Sequence, residues 1–389
     1  MNELSGSHVT PTRVEHAAGI AVYVREGERL AGEIGNRGPL RLDAQGKLDP
    51  NILAAYGEQG FYVLEGVIGQ TELDALRADA DMMIERAPVR DGAEVDAQGR
   101  PALGRDYARD PYMFVKPLSD PWGGTDVLGG RHPSQMTQPA ADADAPEDVL
   151  YVMRGMCQAM PSGLRLYGHP ELLAIAESIN GPDFVPFGEA IFVKQPGLGG
   201  SVAWHQDGVT HWNSPNWDSG IHGFNFQVQL YPATSGNCLW VVPGTHIQGR
   251  VDIKRLVEEN GGSEQLPGAV PLICDAGDVT LVNRQMVHGS FANSSPDLRV
   301  SLAFGFHRRA SVLGQKGALR MASDDNYDVK RIFERSAVIA VAIDARRKHY
   351  ADEKPFRYQP FAGLEDEYRF TDETFERVIR DYNLKDLAI

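Results

Sequence analysis

The stretch Val202-Ala203-Trp204-His205-Gln206-Asp207-Gly208 sets two metal-ligating side-chain types two residues apart. On an extended strand, residues i and i+2 project to one face. His205 and Asp207 can therefore share a metal while Gln206 turns away. Two histidines and one carboxylate on one face, with open positions opposite, form the donor set of a non-heme iron(II) site for dioxygen chemistry. With 11 histidines in the chain, about one His-x-Asp is expected by chance, so the pair alone also fits a polar patch on a surface strand. A second histidine must arrive from another strand. His288 in "NRQMVHGSFANSS" is the candidate, 81 residues after Asp207 and reachable only through tertiary folding; its bland alternative is a satisfied core histidine.

Arg299 follows His288 by 11 residues. Along "LRVSLAFGFH", Arg299, Ser301, Ala303 and Gly305 share one face, while Val300, Leu302 and Phe304 share the other. A guanidinium entering a barrel interior needs an anionic partner, because an unpaired buried charge is costly. A dicarboxylate would satisfy it bidentately.

Strands must position these groups. "FVPFGEAIFVKQ", "GFNFQVQLYPA", "NCLWVVPG", "AVPLICDAGDVTLVN" and "LRVSLAFGFH" are short, β-branched or aromatic, and punctuated by Gly, Pro and Asn. With little helix between them they predict an antiparallel sandwich or barrel at 181–310. Residues 1–48 are Gly-rich and weakly patterned, expected to form an arm or a small strand pair. Residues 49–180 read as helical support. Within them lie a short helix ending at Gly60, a strand from Phe61 to Leu64, and a helix with Leu73, Leu76, Ala80, Met83 and Ile84 on one face and Thr71 as N-cap. Helices are also expected at Val149–Ala159 and Pro170–Ile179. Residues 88–148 shift to Pro, Gly, Asp and Arg without periodicity and read as a lid or mobile insertion. A helical extension occupies 311–389, around Asp328–Tyr350 and Glu373–Tyr382. The expectation is a single domain, 1–389, with a mostly β core framed by helices from both ends.

Together these stretches resemble the phytanoyl-CoA dioxygenase family of iron(II)/2-oxoglutarate oxygenases. The resemblance runs from about Leu53 to Phe306. It rests on "GFYVLEGVIGQTELDALR", "WHQDG", "LWVVPGTH", "AGDVTLVN" and "VHGS…N…R", in the family's order. It implies a double-stranded β-helix (a jelly roll, cupin-like) and carries the family's metal ligands onto His205, Asp207 and His288. The carboxylate-binding arginine carries onto Arg299, and Ser290 onto a cosubstrate contact; Lys194 and Gln227 are further cosubstrate positions. Asp207 matches the hydroxylating members, since halogenating relatives carry a small residue there. The order Gly236-Asn237-Cys238 departs from the family's usual Asn-Gly-Cys. The implied reaction uses Fe(II), 2-oxoglutarate and O2, releases succinate and carbon dioxide, and oxidises a C–H bond, hydroxylation being the default.

Trp204, His211, Trp212 and His307 are the candidate substrate residues. For Trp204 packing competes with that role, and for His307 a solvated strand end does. His246 in "PGTH" reads as a structural loop contact, and His169-Pro170-Glu171 as a helix start. A formal charge of −15 argues against nucleic acid and anionic membranes as partners. Cys157, Cys238 and Cys274 are too few and scattered for a disulfide framework. "MNELSGSHVTPTRVEH" has no signal-like apolar stretch, the longest apolar run, Ala337–Ile343, is far below spanning length, and "KDLAI" is no recognised address. A cytoplasmic enzyme acting on a free small metabolite is expected. Oligomeric state and the substrate are not written in these motifs.

Overall fold

The computed structural model describes residues 10–208, 223–315 and 326–382. Its strands, in chain order, are β1 (Arg37–Pro39), β2 (Phe61–Glu65), β3 (Tyr112–Val115), β4 (Val149–Met153), β5 (Val185–Lys194), β6 (Val202–His205), β7 (Gly223–Gln229), β8 (Trp240–Val241), β9 (Val270–Pro271), β10 (Val279–Asn283), β11 (His288–Ser290) and β12 (Arg299–His307). Eight form one sheet in the order β1-β2-β10-β7-β12-β5-β4-β3, and four form a second, β6-β11-β8-β9. All neighbours are antiparallel except β1 and β2. The core is mostly β, as its alternating runs predict.

Alternation along β12 sorts its side chains. Val300, Leu302, Phe304 and Phe306 join the main hydrophobic core with Phe224, Phe226 and Val228 of β7. That core is closed by residues of α2 (Pro50–Gln59), α3 (Gln70–Glu85), α4 (Met156–Ala159), α5 (Pro161–Tyr167), α6 (Pro170–Asn180) and α7 (Val329–His349), numbered after α1 (Arg13–Ile34). A second core under the small sheet gathers Trp204, Trp240, Val241, Phe291 and Ile20.

Three local expectations give way. Residues 13–34 form a 22-residue helix rather than an arm or strand pair. Thr12 and Glu15 make a capping box, and Gly35 ends the helix in the left-handed conformation. Most of α1 faces solvent, so its apolar period is faint; Tyr23 stacks on Trp240 at 5.1 Å. Gly27 is required there, since a Cβ would stand 2.5 Å from the Trp240 ring. Val149–Met153 is a strand, not the start of a helix; its β-branched and aromatic run is buried on both faces between β3 and β5. The N-cap of α3 is Gly69, with Thr71 already inside the helix.

Segment 88–148 contributes β3 and a turn at Val127–Gly130 in which Leu128 itself has φ 56°. Asp120 ties this segment together, accepting from the Gly123 and Met136 amides. The cysteines are free and buried. Among the described residues, no helix is long and apolar enough to cross a membrane.

Candidate metal centre

His205 ends β6 and His288 opens β11, and the two are register partners across the small sheet. Asp207 lies just beyond β6, its amide donating to the Arg284 carbonyl. The strand spacing thus brings both side chains to one point, although only His205 is still on the strand. Gln206 turns away, as alternation requires, and donates to the Gly249 carbonyl.

His205 Nε2 stands 3.7 Å from Asp207 Oδ1, and His288 Nε2 stands 3.9 Å from Oδ2. The ligand atoms of all three lie within 4.8 Å of one another, and all three residues are buried. Nδ1 of His205 faces the Ala203 carbonyl and Nδ1 of His288 the Met286 carbonyl, each at 2.8 Å. A carbonyl can only accept, so both Nδ1 atoms carry the proton and both Nε2 lone pairs point at the shared centre. Burial pushes both imidazoles below their usual range, so they are neutral, the form that ligates metal.

Asp207 is held charged. Burial opposes its ionisation, but the positive charges of Arg131 and then Arg284 outweigh burial and hold the carboxyl well below its usual range. Arg131 Nη1 donates to Oδ1 at 2.8 Å, Asn225 Nδ2 donates to Oδ2 at 2.9 Å, and Arg284 Nε stands 3.6 Å from Oδ2. Burial pulls Arg284 down to about 10, with Asp207 opposing that fall; its guanidinium lies over the Phe187 ring and donates to His307 Nε2. His132 packs its ring 4.2 Å from that of His205. It is fully buried, and neither ring nitrogen has a hydrogen-bond partner among the described residues.

The cluster opens on a cavity of about 200 Å³ lined from both sheets, by β4, β5, β7 and β12 on one side and β6 and β11 on the other. Arg299 and Lys194, register partners on β12 and β5, both line it and both are buried. Arg299 donates to Gln227 Oε1 at 2.7 Å, Ser301 Oγ at 3.2 Å and the Asn237 carbonyl at 3.0 Å. Lys194 Nζ donates to the Phe291 carbonyl. Among the described residues no carboxylate lies within ion-pair distance of either cation. Burial, reinforced by the neighbouring Arg299, pushes Lys194 well below the usual lysine range. Ser290 and Gln227 line the same cavity.

A phytanoyl-CoA dioxygenase family model matches residues 56–301. The chain belongs to that family. Its members are iron(II)/2-oxoglutarate-dependent oxygenases, and the match spans the whole of the cluster and both buried cations. A phytanoyl-CoA dioxygenase of Arabidopsis thaliana is 30% identical over 263 residues, covering 65% of this chain and 87% of the relative. Phytanoyl-CoA dioxygenase 1 of Oryza sativa subsp. japonica is 33% identical over 117 residues, covering 28% of this chain and 40% of that one. The crystal structure of EctD from S. alaskensis with 2-oxoglutarate and 5-hydroxyectoine is similar with a TM-score of 0.47 and 18% identity, over 70% of this chain and 81% of that one.

The remaining site candidates fall elsewhere. Trp204 is buried in the second core, donating to the Glu264 carbonyl, and does not line the cavity. Its indole is apolar bulk that the small sheet's core absorbs. His307 is buried rather than solvated, because Arg284 and Phe187 close over it. His211 and Trp212 lie outside the described residues. His246 is a loop contact to the Gly57 carbonyl. Sequence reasoning missed Arg131, His132, Trp122 and Leu128, which arrive from the aperiodic segment 88–148 and leave no spacing to read. Arg284, by contrast, lies in the polar break Asn283-Arg284-Gln285 between two apolar runs, four residues before His288.

Proposed function

We propose that this chain is an Fe(II)/2-oxoglutarate-dependent dioxygenase that hydroxylates an unactivated C–H bond of a small metabolite. One observation carries the reading. A single cavity joins a His-Asp-His cluster, with both Nε2 lone pairs turned inward, to two buried basic side chains that no carboxylate among the described residues pairs. The donor set fits iron(II): two neutral imidazoles and one carboxylate held in its charged form. His205, Asp207 and His288 would hold the metal. When bound, iron supplies dioxygen activation coupled to decarboxylation of 2-oxoglutarate to succinate and carbon dioxide, and with it oxidation of the substrate C–H bond.

The chain's own residues do the positioning. Arg299 would take the far carboxylate of 2-oxoglutarate, with Lys194, Gln227 and Ser290 around it. Arg131, Asn225 and Arg284 keep Asp207 charged and oriented. Trp122, Leu128, Phe187 and Phe192 give the cavity an apolar wall. We read the two facing sheets as a double-stranded β-helix within one oxygenase domain, and segment 88–148 as its cover.

Anaerobic difference spectroscopy with iron(II) and 2-oxoglutarate tests the proposal. A visible charge-transfer band is expected for the wild type, shifted to much higher 2-oxoglutarate in Arg299→Ala. Bound iron with no band at any 2-oxoglutarate concentration would overturn it in favour of a metal enzyme without this cosubstrate.

A further inference from the structure

Besides Arg299, Lys194 and Arg131, the cavity is lined by a fourth basic side chain, Arg154, that the dioxygenase reading does not use. Arg154 follows β4, whose register pairs Val152 with Phe192 and Met153 with Ile191. Alternation sends Met153 into the main core and brings Val152 and Arg154 to the cavity wall. Continuing the register sets Arg154 level with Ala190. That is four residues along β5 from Lys194, or about 13 Å at strand rise. Arg154 therefore stands at the opposite end of the cavity from the Arg299–Lys194 pair.

Its guanidinium makes no side-chain hydrogen bond and no ion pair within 4 Å among the described residues. Burial, and then the nearby charge of Arg109, pull it below the usual arginine range; Asp110 and Glu189 pull the other way without reaching it. Glu189 also lines the cavity and acts on Arg154 through its charge, but no ion pair joins the two within 4 Å. Beside Arg131, Asn225 and Glu189, the cavity carries an apolar lining of Trp122, Leu128, Val152, Phe187 and Phe192. A planar five-donor fork that no carboxylate among the described residues pairs, beside an apolar cavity lining, is shaped for an oxyanion on a hydrocarbon body.

We propose that Arg154 is the substrate-anchoring residue, and that the substrate is a small amphiphile whose carboxylate or phosphate pairs with Arg154 while its apolar part lies against Phe187 and Phe192 toward the metal. This rests on the dioxygenase reading and names the substrate class for that site. It also separates the two anions: 2-oxoglutarate at the Arg299 end, substrate at the Arg154 end.

The test uses full-length protein loaded anaerobically with iron(II) and 2-oxoglutarate. Aliphatic and aromatic carboxylates, their primary amides, and matched phosphate monoesters are titrated against the visible band of the wild type, Arg154→Met and Arg154→Lys. The expected result is that acids perturb the wild-type band at least tenfold more tightly than their amides. Arg154→Met should lose that preference and Arg154→Lys keep part of it. Perturbation by phosphate esters alone supports the site with phosphate as the anion. Amides binding as well as acids, a preference surviving in Arg154→Met, or no perturbation by any member of the set overturns the proposal. The acid-to-amide comparison stands on the wild type, whatever the variants' folding. The 2-oxoglutarate titration is the control: its failure in the wild type sinks the dioxygenase reading itself, not the substrate assignment.

Discussion

Arg131 Nη1 lies 2.8 Å from Asp207 Oδ1, a contact between residues 76 apart in sequence and both mostly buried. It joins segment 88–148 to the carboxylate of the His-Asp-His cluster. In doing so it supplies positive charge where a divalent ion would supply it. Folding of the segment and the charge state of the centre are therefore linked.

That linkage predicts a metal-dependent stability change. Arg131→Met strips Asp207 of its nearest counter-charge while Arg284 and Asn225 remain. The loss should be roughly 2–3 kcal/mol, below the full penalty of a broken buried pair. Manganese(II) should restore most of it by charge compensation. Thermal melts with and without the ion check this; a gap between wild type and variant that metal leaves unchanged would contradict the linkage.

Iron stoichiometry separates ligands from neighbours. His205→Ala, Asp207→Ala and His288→Ala should each lose bound iron(II) and all turnover. His132→Phe should retain iron, because His132 touches His205 only through ring packing. Metal analysis after gel filtration measures both, and iron lost from His132→Phe would make His132 a ligand.

Lys194 predicts proton uptake on cosubstrate binding. Burial and Arg299 hold its pKa well below the usual lysine range. A dicarboxylate beside it favours the ammonium form and raises that pKa. At any pH between the lowered and the raised value, binding must draw a proton from solution. Calorimetry of 2-oxoglutarate binding at pH 8, in two buffers of different ionisation enthalpy, should show uptake of up to one proton. Lys194→Met should abolish it. Identical heats in both buffers for the wild type would rule the linkage out.

Gly60 predicts a plain stability effect. It ends α2 at φ 85°, and a Cβ there would stand 2.6 Å from His246 Nδ1 and 3.0 Å from Met286 Sδ. Gly60→Ala should cost about 2 kcal/mol or more, from left-handed backbone strain plus the clash. Gly66→Ala, at φ 63° with open space around its Cβ position, should cost only about 1 kcal/mol. Urea midpoints at constant slope distinguish the two; equal losses would mean that the contact with His246 adds nothing.

Much of the centre was legible because its signals are local. His205 and Asp207 are two apart, His288 and Ser290 are two apart, and Arg299 sits at a fixed place on an alternating strand. Period two alone says which side chains share a face. The core strands were legible for the same reason, and Gly60 and Pro170 marked helix boundaries through backbone geometry.

Where sequence reading failed, the deciding energy was long-range. Helix α1 has a weak apolar stripe because it lies on the surface, and only the Thr12–Glu15 capping box announced it. Strand β4 read as helix because a short apolar run buried on both faces has no period of its own. Its neighbours β3 and β5 settle the matter. Arg131, His132 and Arg154 are ordinary polar residues in sequence. They matter because folding removes them from water beside Asp207, His205 and the cavity wall, where an unpaired charge or an unsatisfied ring nitrogen demands a partner. Donor types and strand alternation are properties of the chain. Which charges meet, and which line a cavity without an ion pair among the described residues, is decided only by tertiary burial, since the energy of a charge depends on what surrounds it.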